Sequence, residues 1–222
     1  TLFVSNNPTK APPAYVDRLG AAGYDVDADR VFTAGSVTTR YLRERHADDD
    51  LLCIADPGLL EQFAAAGLST TDDVDAADAL VASIDREFDY DDLCTALWAL
   101  ERDIPFIGTD PDVVIPAPER DVPGSGAVIN AIAGVAEREP DAVLGKPSDT
   151  AIEMVRERLP YPAEECLVVG DRLDTDVALG ERAGMTTVLV RSGVTDEAAL
   201  AASDVEPDHV LDHLGEIDRV VG

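Results

Sequence analysis

The chain has 222 residues, 45% of them hydrophobic, which is enough to bury a sizeable core in one large domain or two smaller ones. Its 17 basic and 45 acidic residues give a formal net charge of −28, and a surface this acidic repels nucleic acids and anionic membranes. No apolar run approaches the roughly 18 residues that a membrane helix needs. Residues 1–10 lack the pattern of a secretory signal. We therefore expect neither a nucleic-acid nor a membrane partner.

The acidic residues are spread along the whole chain, and Lys10 and Lys146 are the only lysines among the 17 basic residues. This composition resembles that of proteins from salt-loving archaea, in which concentrated salt screens the self-repulsion of the surface. We expect a halophilic, cytoplasmic protein whose fold weakens in low salt; an acidic protein from an ordinary cytosol is the alternative. Cys53, Cys94 and Cys166 show no CxxC pairing, which argues against disulfides and a zinc site.

Short apolar runs alternate with helical patterns, which is typical of a parallel sheet covered by helices. The stretch 46–141 differs in texture from its flanks and has strands and helices of its own. We predict a doubly wound α/β core made of 1–45 and 142–222, with an inserted α/β cap domain over 46–141. The predicted strands, in chain order, are 2–4, 31–33, 51–55, 79–84, 104–107, 142–144, 166–169 and 186–190. The predicted helices are 12–22, 37–44, 59–66, 90–102, 124–138, one capped by Ser148 that runs to 159, and one ending at 183.

Three polar clusters each follow an apolar strand: residues 5–7 (Ser-Asn-Asn), 145–147 (Gly-Lys-Pro) and 170–171 (Gly-Asp). In an open parallel sheet the ligand site lies beyond the carboxyl ends of the strands, so we expect these clusters to converge. Together they offer a hydroxyl, amides, an ammonium and a carboxylate. That set suits a phosphoryl group held by a hard cation.

The segments FVSNNPTK, LGKP and VVGDRLDTD resemble the second, third and fourth motifs of haloacid dehalogenase-type phosphatases. The similarity is greatest to nitrophenyl phosphatases and NagD-like sugar or nucleotide phosphatases. It covers nearly the whole chain, including GTDPD at 108–112 and PGSGAVINAI at 123–132. The resemblance implies Mg²⁺-dependent hydrolysis of a small phosphorylated metabolite through a phospho-aspartate. It also implies a cap that selects the substrate, and homodimers that form through the cap.

The resemblance also assigns roles to single residues. Ser5 would hydrogen-bond the phosphoryl group, with Asn6 beside it, and Lys146 would balance charge. Asp171 would bind Mg²⁺, and Asp176, selected by the GDxxxxD spacing, would support the metal shell. A competing interpretation of these two aspartates is an acidic turn that caps the next helix.

Substrate-binding roles fall to Asn7 and Asp112. Asp112 lies where the family has an Asn-Pro-Asp type loop, and Asp110 departs from the asparagine of that loop. The competing interpretation of Asp110 and Asp112 is an exposed acidic turn.

The family's nucleophile belongs to a DxDGT-like loop that comes before the FVSNN motif, and the sequence given lacks it. Residues 25–29 have DxD spacing, but no apolar strand precedes them and no Gly-Thr follows, so we predict an exposed loop. Without an attacking carboxylate the chain as given is expected to be inactive. We favour a shortened sequence over an evolved loss. Two alternatives are a non-catalytic phosphate-binding protein and a nucleotide-binding Rossmann domain, but the latter predicts a GxGxxG turn that is absent.

Overall fold

The computed structural model describes residues 1–222, which divide into two compact units, Thr1–Gly145 and Lys146–Gly222. Each unit contains parallel β-sheet and α-helices, so the predicted α/β class is confirmed. The predicted boundaries of the inserted domain, 46 and 141, stay a prediction. No helix combines the length and the apolar character that spanning a bilayer demands.

The first unit contains nine strands and five helices. In chain order they are β1 (Phe3–Ser5), α1 (Pro12–Ala21), β2 (Val31–Thr33), α2 (Ala34–Arg45), β3 (Asp50–Ile54), α3 (Pro57–Ala65), β4 (Ser69–Thr71), β5 (Ala79–Ala82), α4 (Tyr90–Leu100), β6 (Phe106–Gly108), β7 (Val114–Ile115), β8 (Val122–Pro123), α5 (Ser125–Ala136) and β9 (Ala142–Val143). β1 and β2 pair in parallel. A second, five-stranded parallel sheet has the order β4-β3-β5-β6-β9, and β7 and β8 form a small antiparallel pair.

The central strands of the five-stranded sheet are buried on both faces. All four residues of β5 and all three of β6 are buried, which explains why these segments are continuous apolar runs rather than alternating ones. Leu80, Phe106 and Ile132 are completely buried in the cluster that joins this sheet to α4 and α5. The buried cluster therefore fixes the ends of β5 and β6 relative to the start of α5.

The second unit is a three-stranded parallel sheet with four helices and a helical turn. Its elements are α6 (Asp149–Arg158), β10 (Leu167–Gly170), a π-helical turn at Leu173–Val177, α7 (Ala178–Ala183), β11 (Thr186–Val190), α8 (Glu197–Ala202), β12 (His209–Leu211) and α9 (Asp218–Val221). The strand order is β10-β11-β12. Leu173, Val177 and Leu189 form its buried cluster, against which Leu200 and Val205 pack.

Several local expectations can be compared with the structure directly. Ser148 caps α6, because its hydroxyl accepts a hydrogen bond from Ala151 N at 3.2 Å. The DxD segment at 25–29 is an exposed loop ending in a short 3₁₀ turn, as predicted. The acidic segment 170–176 leads into the π-helical turn at Leu173–Val177. All three cysteines are free, and burial, with a smaller effect of the Asp72 charge, raises the pKa of Cys53 to about 12.

Candidate functional site

The polar loop after β1 is held by hydrogen bonds among its own side chains. Ser5 Oγ lies 3.1 Å from the hydroxyl of Tyr15 on α1 and accepts a hydrogen bond from Asn7 N at 3.2 Å. Asn7 Oδ1 accepts hydrogen bonds from both Thr9 N and Thr9 Oγ1, at 2.8 and 2.9 Å. The side-chain oxygen of Asn7 therefore stabilises the turn. This leaves the side-chain NH₂ group of Asn7 for the predicted role in substrate binding.

The same loop also packs against the first turns of two helices. Gln62 Nε2 on α3 donates to Pro8 O at 2.8 Å. A Cβ at Gly35, in α2, would lie 2.5 Å from Pro8 O, and one at Gly58, in α3, would overlap Thr9 O. Glycine at these two positions lets the loop approach closely, so the backbone after Ser5 is fixed by packing as well as by hydrogen bonds.

Asn6 meets Asp112 although the two residues are 106 positions apart in the sequence. Asn6 is buried, and its Nδ2 donates to Asp112 Oδ1 at 3.4 Å. Asp112 N donates in turn to Asp110 Oδ1 at 3.2 Å. The two residues thus connect the loop after β1 with the segment after β6.

Asp110 is buried, and only 2% of its surface is exposed, so the interpretation of this position as an exposed acidic turn is wrong. Burial is the main cause that raises the pKa of Asp110 to about 7. Hydrogen bonds from Ser125, Thr109 and the backbone of Asp112 act in the opposite direction, and the charge of Asp112 adds to the rise. Asp110 therefore changes its charge close to neutral pH.

In the second unit, Lys146 and Asp176 form a close ion pair. Lys146 Nζ lies 2.5 Å from Asp176 Oδ1, and the two side chains are only 12% and 9% exposed. Asp176 Oδ2 accepts hydrogen bonds from Asp171 N and Arg172 N, at 3.0 and 3.1 Å. A Cβ at Gly170 would overlap the Asp176 side chain. Asp176 thus folds the acidic segment back onto the end of β10, which explains the π-helical turn at Leu173–Val177.

Asp171 is held by the segment that follows β11. Its Oδ2 accepts a hydrogen bond from Val194 N at 2.8 Å, and its backbone oxygen accepts one from Thr195 N at 3.0 Å. A Cβ at Gly193 would overlap the Asp171 carboxylate. The other carboxylate oxygen, Oδ1, accepts no hydrogen bond, so one oxygen of Asp171 is left for a ligand.

The second unit contains oxygen donors of the kind that Mg²⁺ uses. Mg²⁺ is commonly held by one or two carboxylates together with water and substrate phosphate. Asp171 has an uncommitted oxygen, whereas both oxygens of Asp176 already accept hydrogen bonds. No group of three or more His, Cys, Asp or Glu side chains is gathered for a metal. The residues fit a Mg²⁺ ion bound directly by Asp171, with Asp176 acting through its neighbours.

The structure thus brings together Lys146 with Asp176 in one unit and Asn6 with Asp112 in the other. The predicted convergence of all the strand-end clusters, and the roles of the individual residues, stay predictions. Sequence reasoning missed two contacts, those of Tyr15 with Ser5 and of Val194 with Asp171. A glycine in a polar segment directly after β11 was the available signal for the second contact, whereas nothing local indicates the first.

Comparisons with known proteins agree across the whole chain. A family model described as haloacid dehalogenase-like hydrolase matches residues 1–69, and one described as HAD-hydrolase-like matches residues 143–217. An acid sugar phosphatase from Staphylococcus epidermidis is 30% identical over 208 residues, which are 94% of this chain and 80% of that protein. A dihydroxyacetone phosphatase from Corynebacterium glutamicum is 28% identical over 97% of this chain and 78% of its own length.

Solved structures give the same result. A p-nitrophenyl phosphatase from Archaeoglobus fulgidus superposes with a TM-score of 0.90 at 33% identity, and the match covers 98% of this chain and 85% of that one. With 30–33% identity over most of both chains, the chain shares not only the fold of these proteins but also their family. The chain is therefore a hydrolase that belongs to the haloacid dehalogenase-like family, and it is similar to the nitrophenylphosphatase-like members of that family.

Proposed function

We propose that the protein is a Mg²⁺-dependent phosphate monoester hydrolase. The reaction class is transfer of a phosphoryl group to an aspartate, followed by hydrolysis of the phospho-aspartate. The substrate is a small phosphorylated metabolite. The relatives include an acid sugar phosphatase, a dihydroxyacetone phosphatase and a 5'-nucleotidase, so sugar phosphates, triose phosphates and nucleotides are the candidate substrates.

The observation that carries the proposal is the contact between the GKP and GDxxxxD motifs. Lys146 and Asp176 are 30 positions apart, yet they form a largely buried ion pair beside Asp171. Burying an ammonium and a carboxylate costs free energy unless both are paired and hydrogen-bonded. An acidic turn that merely caps a helix has no need for such a pair, whereas a site for a doubly charged anion and a cation does.

The predicted site residues have separate tasks in this proposal. Lys146, fixed by Asp176, supplies a compact positive charge for one phosphoryl oxygen. Ser5 and Asn6 donate hydrogen bonds to the phosphoryl group, while Asn7 and Asp112 contact the substrate. A bound Mg²⁺ ion, held by Asp171 and supported by Asp176, would neutralise charge on the phosphoryl oxygens.

We assign the nucleophile to no residue of 1–222. The aspartates at 25–29 lie in an exposed loop rather than at the end of a strand. The chain of 222 residues is therefore expected to bind phosphate and Mg²⁺ without turning over phosphate esters. A version extended at its N-terminus by a strand and a DxDGT loop is expected to hydrolyse them. If the extension gives no turnover while phosphate still binds, the protein is a phosphate-binding member of the family without catalysis.

Replacing Lys146 by alanine is expected to weaken binding of inorganic phosphate by about tenfold or more, because a charge-assisted contact is lost. Isothermal titration in molar KCl, with and without MgCl₂, measures this affinity. Lys10→Ala is the matched control, because Lys10 is the other lysine of the chain and is exposed. Phosphate affinity that is equal in the two variants would contradict the role given to Lys146.

Replacing Gly193 by alanine is expected to weaken Mg²⁺ binding by about tenfold, because the added methyl group must displace the Asp171 carboxylate. A calorimetric titration with Mg²⁺ measures the affinity of each variant. Gly134→Ala is the control, since a Cβ at that position meets nothing within 4 Å. If Gly193→Ala binds Mg²⁺ as the unchanged chain does, Asp171 is not the ligand.

A further inference from the structure

Asp110 is a buried ionisable group to which the proposed mechanism gives no task. It is the second residue after β6, and three hydroxyl groups from different parts of the chain lie close to it. Ser83 follows β5, Thr109 follows β6 and Ser125 begins α5, and all three residues are buried. Burying a carboxyl group costs free energy unless the group is hydrogen-bonded, so the contacts of Asp110 indicate its role.

The hydroxyl groups around Asp110 form a chain that can donate in either direction. Thr109 Oγ1 lies 2.9 Å from Ser83 Oγ and 3.1 Å from Asp110 Oδ2. A hydroxyl has one hydrogen, so Thr109 donates either to Asp110 or to Ser83. The first arrangement suits an ionised Asp110, and the second suits a protonated Asp110 that donates to Thr109. Both charge states are therefore hydrogen-bonded.

Ser125 also hydrogen-bonds the carboxyl of Asp110. Ile84 N donates to Ser125 Oγ at 3.0 Å, which leaves the hydroxyl hydrogen of Ser125 for its hydrogen bond with Asp110. Asp110 is thus tied to the ends of β5 and β6 and to the first residue of α5. These elements belong to the buried cluster of the five-stranded sheet, so the carboxyl sits on a rigid support.

From this support Asp110 reaches the residues proposed to bind substrate. Its Oδ1 accepts from Asp112 N at 3.2 Å, and Asp112 Oδ1 accepts from Asn6 Nδ2 at 3.4 Å. Asn6 Oδ1 and Asp110 Cβ would each lie 2.9 Å from a Cβ at Gly145. Only a glycine leaves room for this approach, so Asp110 and Asn6 are linked both through Asp112 and by their packing around Gly145.

We infer that Asp110 is a positioning residue whose buried carboxyl holds Asp112 against Asn6 and so sets the orientation of the Asn6 amide. The inference rests on the proposed function for the statement that Asn6 meets the phosphoryl group. Within the first unit, Asp110 interacts directly with Asp112 and with the hydroxyls of Thr109 and Ser125. Ser83 is hydrogen-bonded to Thr109, and Asn6 to Asp112. Ionisation of Asp110 places a second negative charge beside Asp112 and reverses the hydroxyl chain, so the Asn6 amide must respond to it.

The side-chain amide of Asn6 reports this coupling without any need for turnover. In the ¹⁵N-labelled chain its two N–H signals, assigned by their loss in Asn6→Ser, are followed from pH 5 to pH 9. We expect one step in their chemical shifts, with a midpoint near the pKa of Asp110, about 7. Asp110→Asn keeps the shape of the side chain and should abolish the step. Asp56→Asn, the same change at the N-cap of α3, should leave it in place.

Two further variants strengthen the test. Asp110→Ala should shift the Asn6 signals at every pH and weaken binding of inorganic phosphate by about tenfold, whereas Asp110→Asn should change that affinity by less than about twofold at pH 6. Ser125→Ala removes a hydrogen bond that lowers the pKa of Asp110, so the midpoint should move to higher pH. The midpoint in Ser125→Ala can be measured even if Asp110→Ala does not fold.

The outcomes separate the inference from the proposed function. If the Asn6 signals show no step, or keep it in Asp110→Asn, Asp110 does not position Asn6, whatever the phosphate affinity is. An unchanged midpoint in Ser125→Ala would contradict the hydrogen-bond chain. If the step is present and is abolished by Asp110→Asn while the unchanged chain binds no phosphate, the positioning role stands and the proposed function fails.

Discussion

Replacing Asp176 by alanine is expected to lower the free energy of unfolding of the unit Lys146–Gly222 by about 3–5 kcal/mol and to abolish Mg²⁺ binding. The substitution removes the carboxylate that lies 2.5 Å from the largely buried ammonium of Lys146. It also removes the acceptor for the backbone N–H groups of Asp171 and Arg172. The acidic segment then loses the contacts that fold it back onto β10, and Asp171 loses its fixed position.

Hydrogen exchange of the β11 backbone amides measures the stability of this unit. Asp174→Ala is the matched control, because Asp174 lies in the same segment but is exposed. We expect that variant to change stability by less than about 0.5 kcal/mol. Equal effects of the two substitutions would mean that the buried ion pair does not support the segment.

The double variant Lys146→Met with Asp176→Asn isolates the pair from the rest of the contacts. Asparagine keeps an oxygen for the backbone N–H groups of Asp171 and Arg172, and methionine fills the volume of the lysine stem without a charge. The cost of the double variant should therefore be smaller than the sum of the two single costs, by about 1–3 kcal/mol. Additive costs would indicate that the two side chains do not interact.

The stability of the first unit is expected to depend on pH through Asp110. Its pKa rises from an ordinary value of 3.8 to about 7 in the folded chain, chiefly because of burial. The folded state therefore binds the proton more tightly than the unfolded state between these two values. The contribution of Asp110 to stability is fully present below about pH 4 and is lost progressively as the pH rises to about 7. A pKa difference of about three corresponds to a loss of about 4 kcal/mol.

Urea unfolding at a series of pH values measures this dependence, and Trp98, the single tryptophan, lies in α4 and reports on the first unit. Because the many other carboxylates also titrate, the useful quantity is the difference between the unchanged chain and Asp110→Asn. We expect the free energy of unfolding of the unchanged chain to fall relative to that of Asp110→Asn between pH 4 and pH 7. Above that range the difference should stay constant. A difference that does not vary with pH would show that Asp110 is not protonated in the folded chain.

The local elements could be predicted because their causes are local. Residues 79–82 are a continuous apolar run, and the structure makes them a strand buried on both faces. Ser148 follows a Gly-Lys-Pro turn and precedes a helical pattern, and its hydroxyl caps α6. The segment 25–29 has no apolar strand before it, and it is an exposed loop. In each case the neighbours in sequence supply the energetic reason.

The contacts that define the candidate site could not be predicted in the same way. Asp110 and Asp112 carry the same local signal, that of an acidic turn, yet Asp110 is buried and Asp112 is only partly so. The difference arises because Ser83 and Ser125, which come from distant parts of the chain, enclose Asp110. Likewise, the spacing of GDxxxxD selects Asp176, but only the ammonium of Lys146 and the folded-back backbone reveal that Asp176 supports Asp171.

The sequence by itself determined the α/β class, the membership in a phosphatase-like family and the polar residues at the ends of the strands. Periodicity, capping and ordered motifs depend on short stretches of chain, so they can be recognised without coordinates. Only the tertiary structure decided which of these polar groups are buried, which are paired and which keep an oxygen for a ligand. Burial and pairing are set by residues far apart in sequence, and they determine the raised pKa of Asp110 and the ion pair of Lys146 with Asp176.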